Sequence, residues 1–264
     1  MSRLRRGAGA VNDSRLGSVA RRALPDPVWR RLATAAGGRL PEPIDLSPLA
    51  LLRDVDVTDA AALEEVLPRL GLADDVPLVI PDHLRPFVGT GLRHWQYPNQ
   101  FAPYLAHVAR LGVRSYLEIG VRHGGTFLIT VEALKPERAI AVDIDRVPAL
   151  EDRPDIELVQ ADSRSRRFRR LVADRGPFDL VLVDGNHAYD AVRNDVDTIL
   201  PHANVIALHD IVDQASPGVR RAWTELRRER GFDFFEFTAQ YDEIVERVGS
   251  TVLGIGLAVR RDRL

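Results

Sequence analysis

From residue 113 to residue 259 the chain alternates between short apolar runs and stretches of helical length and spacing, and this alternation constrains its fold most. The runs are Val113–Ile119, Arg138–Asp143, Ile156–Gln160, Phe178–Asp184, Val205–Leu208, Phe232–Phe237 and Thr251–Val259. Several are apolar at nearly every position instead of every second one, which is the mark of a strand covered on both faces. Between them, Thr126–Leu134, Arg164–Ala173, Ala188–Leu200 and Gly218–Arg230 read as helices, the last stopped by Gly231. Strands alternating with helices of this length predict an α/β fold. The expected core is a mostly parallel sheet with helices on both faces, closed by the last two strands as a hairpin-like pair.

Before residue 95 the pattern is different. Pro-rich stretches (Leu24–Pro27, Leu40–Pro43, Ile80–Asp82) separate helical patches such as Asp59–Leu70, with Asp59 placed to cap the latter. The expected organisation is a mainly helical, irregular region over 1–95, serving as a cap or for self-association into a homo-oligomer, followed by a complete α/β domain over 96–264. The arginines Arg3, Arg5, Arg6, Arg15, Arg21 and Arg22 are read as a solvated tail before they are read as an anion site.

Composition excludes several classes. Of 264 residues, 45% are hydrophobic and 28% charged, which is globular and neither disordered nor fibrous. There is no cysteine, hence no disulfide, thiolate zinc site or cysteine nucleophile. The net charge of −2 makes no case for nucleic acid, so no nucleic-acid partner is expected. No apolar run approaches a membrane span, so no membrane partner is expected. The basic start Met1–Arg6 leads into no apolar segment, and the expected location is cytoplasmic. Lys135 is the only lysine and no G-x-x-x-x-G-K-[ST] occurs, which removes a P-loop. No G-x-S-x-G elbow occurs either, and a hydrolase becomes remote.

In a parallel sheet, ligands bind beyond the carboxyl ends of the strands. The unusual residues of this chain fall there. Glu118-Ile-Gly-Val-Arg-His-Gly-Gly-Thr126 follows the first strand, and its glycines let backbone approach a ligand. Gly120 and Gly124 are four apart, which departs from G-x-G-x-x-G and argues against a nicotinamide cofactor. Asp143 ends the second strand, where a carboxylate can accept two ribose hydroxyls. Asp184-Gly-Asn-His187 and His209-Asp210 end two further strands. Carboxylates on neighbouring strand ends repel unless a cation or proton lies between them, and a divalent ion is the economical answer. His187 would face the same cleft as a base, and His209 would be an added ligand or orient Asp210.

These residues resemble the class I S-adenosylmethionine-dependent methyltransferases over roughly 96–264. Glu118-Ile-Gly-Val-x-x-Gly-Gly is similar to that family's first motif, Ala141-Val-Asp143 to its acidic second motif, and Gln160-Ala-Asp-Ser163 to the segment flanking the adenine. The resemblance implies a Rossmann-like seven-stranded sheet of order 3-2-1-4-5-7-6 with the last strand antiparallel. It also implies cofactor contacts from Glu118, Gly120, Gly124, Asp143, Asp162 and Ser163. The D-x-x-H at Asp184–His187 and the pair at 209–210 resemble, more narrowly, the metal-dependent macrolide-sugar O-methyltransferases and the cephalosporin-hydroxylase-like group. Trp95-Gln-Tyr-Pro98 and the helix from Phe101 resemble that group's lead-in to the first strand. By that resemblance His187 is the catalytic base, Asp184, His209 and Asp210 hold Mg²⁺ or Mn²⁺, and His209 stands where those enzymes generally carry an acid.

The function expected is therefore O-methylation of a small hydroxylated acceptor, a sugar or a natural-product intermediate of the antibiotic type. The donor would be S-adenosylmethionine, assisted by a divalent metal. The alternatives are a metal-independent small-molecule methyltransferase and a non-catalytic S-adenosylmethionine-binding module. His123, Tyr189, Gln240, Tyr241 and the segment Tyr241–Val248 are candidates for the acceptor pocket, though a structural role is the simpler reading for each.

Overall fold

The structure is a computed structural model and describes residues 44–75 and 77–263. The N-terminal arginine cluster and the first two Pro-rich stretches lie outside the described residues.

Seven strands form one sheet: β1 (Ser115–Ile119), β2 (Arg138–Asp143), β3 (Ile156–Gln160), β4 (Phe178–Val183), β5 (Ala203–His209), β6 (Phe232–Phe237) and β7 (Ile255–Arg260). Their order is β3-β2-β1-β4-β5-β7-β6. The first five are parallel, and β7 runs antiparallel to both β5 and β6. This is the Rossmann-like arrangement implied by the motif resemblance. The register brings Ile119 of β1 beside Val142 of β2 and Val183 of β4, so the ends of these strands are level.

The helices are α1 (Ala60–Val66), α2 (Pro98–Arg110), α3 (Gly125–Leu134), α4 (Pro148–Glu151), α5 (Arg166–Arg175), α6 (Tyr189–Ile199), α7 (Pro217–Leu226) and α8 (Asp242–Val248). Successive strand side chains alternate between faces. Tyr116, Ala139 and Ala141 accordingly pack with Leu63, Phe101, Tyr104 and Phe127 in the layer of α1, α2 and α3. Leu117, Ile119, Ile140 and Val142 pack instead with Phe168, Val196, Ala222 and Trp223 of α5, α6 and α7. Burial on both faces is why the strands read as unbroken apolar runs. Residues 44–95 hold α1 and several 3-10 turns, and Leu49, Leu52, Leu63, Leu67 and Leu70 share the first of these cores.

The caps follow local chemistry. Asp59 Oδ1 accepts from the Ala61 amide at 2.9 Å and starts α1; Ser165 Oγ accepts from the Phe168 amide at 3.2 Å and starts α5. Several boundaries differ from the sequence expectation by a residue or more, and three of them have a plain physical reason. Helix α2 begins at Pro98 rather than Phe101, because proline suits the first helical turn, where no amide partner is needed. Helix α7 stops at Leu226 rather than Arg230, since the apolar stripe Val219, Ala222, Trp223, Leu226 has no further member. The last strand starts at Ile255 rather than Thr251: Leu253 and Gly254 adopt positive φ, and the Gly254 amide donates to Gln100 Oε1 at 2.9 Å. Within the segment foreseen only as pocket wall, Asp242–Val248 is a helix. Among the described residues no helix is long and apolar enough to cross a membrane.

Candidate active site

The loop after β1 is shaped by close approach. Gly120 has φ +89, and a Cβ there would lie 2.4 Å from the Asp184 carbonyl oxygen. Its glycine therefore lets the ends of β1 and β4 meet. Gly124, φ +88, turns the chain into α3 against Leu150 and Val147. Between them Arg122 also adopts positive φ. Its backbone amide donates to Asp143 Oδ2 at 2.8 Å, while the Asp145 amide donates to Asp143 Oδ1 at 2.9 Å. The carboxylate at the end of β2 is thus buried and oriented by the loop it faces. The Arg122 guanidinium donates to Asp75, which also accepts the Trp95 indole N–H at 2.8 Å. Asp75 ties the glycine loop to the segment before α2.

Glu118 points into the core layer below this loop. It is buried beside Tyr116, whose hydroxyl donates to it. Burial, aided by Asp184, pushes its carboxyl up to about 8, against the lowering effect of the Tyr116 hydroxyl. Asp162 accepts from the Arg164 amide at 2.8 Å and from its guanidinium. Asp195, close enough to Ser163 to be lowered by it, is an acid that burial pushes up to about 6. Asp195 stands in the buried stripe Ala191, Val192, Asp195, Val196, Ile199 of α6. An acid in an apolar stripe is a legible signal, since buried carboxyls need partners, and Asp195 was not among the expected site residues.

Asp184, His187, His209 and Asp210 converge. His187 Nε2 lies 3.5 Å from Asp184 Oδ1, and His187 Nδ1 lies 3.2 Å from Asp210 Oδ2. His209 Nδ1 lies 3.3 Å from Asp184 Oδ1 and 3.1 Å from Asp210 Oδ1. One ligand atom each from Asp184, His187 and Asp210 fall within 4.8 Å of one another. Asp210 reaches this position through a left-handed backbone, φ +65, a conformation that costs a non-glycine residue on the order of 1–3 kcal/mol. The histidines differ in access: the His187 side chain is 37% exposed and that of His209 is 4% exposed. His209 Nε2 is buried without a hydrogen-bond partner among the described residues.

The charges are interlocked. Burial works against the His187 cation, but Asp210 and Asp184 outweigh it and raise the imidazole to about 9. Burial likewise opposes His209, which both acids raise well above the usual histidine range. Burial opposes ionisation of the two carboxyls as well, yet the imidazoles hold both below the ordinary carboxylate range. Two further groups were not foreseen. Ser216 Oγ lies 3.1 Å from His187 Nδ1. Asp213, near enough to Asp210 and His187 to feel their charge, is raised by burial and by Asp210.

The acceptor-pocket candidates divide. Tyr241 packs edge-on against Tyr97 and His83. Gln240 spans the connection to β7, donating to Val252 O and accepting from the Val252 amide. Tyr189 donates to Glu225 at 2.7 Å under the Arg221 guanidinium, a contact between α6 and α7. His123 lies close enough to feel the charge of Asp75.

Comparison with known proteins agrees with this fold. Residues 117–211, from β1 to just past His209-Asp210, match a family model described as a methyltransferase domain. No curated protein sequence matches the chain. Among solved structures, the chain is similar to an O-methyltransferase from Bacillus cereus in complex with SAH. The two share 16% identity over 84% of this chain and 94% of that one, with a TM-score of 0.50. It is also similar to cofactor-bound Rv0187 from MTB, at 17% identity over 90% of this chain and 98% of that one, TM-score 0.50. MycE methyltransferase from the mycinamycin biosynthetic pathway, solved with Mg, SAH and mycinamycin VI, aligns at 21% identity over 65% of this chain, TM-score 0.45. The chain spans about half of the length of MycE, 51%. The fold is thus the Rossmann-like methyltransferase fold, with the methyltransferase-domain match over residues 117–211 holding the glycine loop, Asp143 and the Asp184–His187–Asp210 cluster.

Proposed function

We infer that the protein transfers a methyl group from S-adenosylmethionine to a hydroxyl of a small molecule, with a divalent ion at Asp184 and Asp210 and His187 as general base. The observation that carries this reading is the meeting of Asp184, His187 and Asp210 at adjacent strand ends, where Asp184 O touches the glycine loop at Gly120. The donor set fits a divalent cation. It offers two carboxylates with imidazole beside them, and the only partner of Asp210 Oδ1 among the described residues is the His209 ring nitrogen at 3.1 Å. When bound, S-adenosylmethionine supplies an electrophilic methyl group and the ion a Lewis acid that makes a hydroxyl acidic.

The chain's own residues supply the rest. Asp143, already oriented by two backbone amides, accepts the ribose hydroxyls. Asp162 and Ser163 flank the adenine. The backbone of Gly120 to Gly124 lies against the amino-acid end of the donor, and Glu118 supports that loop from below. His187, the more exposed imidazole, accepts the hydroxyl proton at Nε2 only once it is neutral, above the value of about 9 to which Asp210 and Asp184 raise it or when a cation takes up the charge of those two carboxylates, whereas buried His209 holds Asp184 and Asp210 in place or joins them as a ligand. Holding donor and acceptor in line supplies much of the barrier reduction. The acceptor class, a sugar or natural-product hydroxyl, rests on the motif resemblance at 184–187.

Calorimetric titration with S-adenosylhomocysteine, with and without Mn²⁺, tests both pockets together. The expected result is saturable donor-product binding and a separate Mn²⁺ site lost in Asp184→Asn. A protein that binds neither is not a methyltransferase of this kind. Turnover of a vicinal diol should be lost in His187→Ala while product binding persists. One observation favours a metal-independent variant of this reading: the two imidazoles already balance the two carboxylates. Full activity in excess chelator would select it.

A further inference from the structure

Ser216 occupies the N-cap position of α7, immediately before Pro217. Serine is favoured there because its oxygen accepts from an amide of the first turn, at a value of roughly 1 kcal/mol. This serine makes no such bond. It is buried, and its hydroxyl is turned the other way, 3.1 Å from His187 Nδ1 and 3.5 Å from Asp210 Oδ2. The approach is built into the next two residues. A Cβ at Gly218 would lie 2.4 Å from both the His187 carbonyl oxygen and the Tyr189 amide nitrogen, so only glycine lets the start of α7 lie against that backbone.

We propose that Ser216 is a positioning residue for His187, its hydroxyl setting which ring nitrogen carries the proton. A carboxylate only accepts, so the single hydroxyl hydrogen goes to Asp210 Oδ2. The serine oxygen is then left to accept, and the partner in reach is Nδ1–H of His187. Asp210 Oδ2, 3.2 Å from the same nitrogen, favours the same tautomer. Asp184 Oδ1, 3.5 Å from Nε2, favours the other tautomer, but it is farther off and has no hydroxyl beside it among the described residues, so in the neutral ring the lone pair sits on Nε2, the atom on the Asp184 side. A ring with its proton on Nε2 would present no base there. The inference rests on His187 being the base, and it adds the residue that makes Nε2 the basic atom.

The test is nitrogen NMR of ¹⁵N-histidine-labelled full-length protein above the pH at which the ring titrates, with the His187 signal assigned through His187→Gln. The wild type is expected to show the Nδ1–H tautomer, Ser216→Ala a shift toward Nε2–H, and Ser216→Thr a return to Nδ1–H. Ser216→Ala removes no cap bond, so the helix start persists. In turnover, Ser216→Ala should lower kcat on the order of 10–100-fold, as outer-shell partners of functional histidines do, with donor KM unchanged and threonine restoring the rate. A wild type with Nε2–H, or an alanine variant that keeps both tautomer and kcat, overturns the proposal. Failure of the functional reading looks different: the wild type would then bind no S-adenosylhomocysteine and turn nothing over, while the tautomer result would still decide the role of Ser216.

Discussion

A Cβ on Gly120 would come within 2.4 Å of the carbonyl oxygen of Asp184, so the glycine loop and the turn that begins the D-x-x-H segment share one space. Gly120→Ala meets two penalties. Alanine at φ +89 costs roughly 1–2 kcal/mol, and the clash is with backbone, which cannot swing aside. The expected result is a loss of at least about 2 kcal/mol in urea unfolding together with weakened S-adenosylhomocysteine binding. An alanine variant with wild-type stability would mean that β1 and β4 do not close as described.

Removing Asp210 should release His187. Asp210 is the strongest influence raising the imidazole to about 9, and burial pulls the other way. In Asp210→Asn the His187 titration followed by NMR should therefore move down, toward or below the ordinary histidine value. An unmoved titration would show that Asp210 is not the partner that holds the proton.

Glu118 makes a prediction about stability and pH. Its folded-state carboxyl is raised to about 8 from a reference of 4.5. Below the lower value both states are protonated and the contribution is complete. Between the two values the folded chain keeps a proton that the unfolded chain has released, so stability falls as pH rises, until the folded carboxyl ionises at about 8. Glu118→Gln should remove that slope. The check is urea unfolding of both proteins across this range, and the difference between them should grow as pH rises.

Asp75 accepts from both Trp95 and Arg122, and Arg122 in turn orients Asp143 through its amide. Asp75→Ala should loosen the glycine loop. We expect donor KM to rise several-fold with kcat little changed, because the ion pair is half-exposed and surface pairs are worth about 1 kcal/mol or less. Loss of kcat with unchanged KM would place Asp75 nearer the chemistry than this path does.

Chelation separates the two forms of the reaction. If an ion sits between Asp184 and Asp210, excess chelator should abolish turnover and Mg²⁺ or Mn²⁺ restore it, while S-adenosylhomocysteine binding is retained. Activity that survives would leave the paired imidazoles as the sole counter-charge.

The strands, the two-faced burial of the central ones and the residues at their ends were legible in local sequence. Runs such as Arg138–Asp143, Ile156–Gln160 and Phe232–Phe237 were legible to the residue, because each is a short run of strand-forming residues bounded by turns and helices. Asp143, Asp184 and Asp210 were legible for the same reason: each is the first charge after such a run. What tertiary structure alone decided are contacts between segments far apart in the chain. Ser216 reads locally as a helix cap, and only the packing of α7 on the 187–189 backbone turns it to His187. His187 and His209 read alike, and only the fold buries one and leaves the other open to the cleft. Asp75 is an unremarked loop acid until the path of residues 72–95 brings it to Arg122. Periodicity and turn chemistry are properties of neighbours in sequence, whereas side-chain direction at a site is set by what distant elements leave room for.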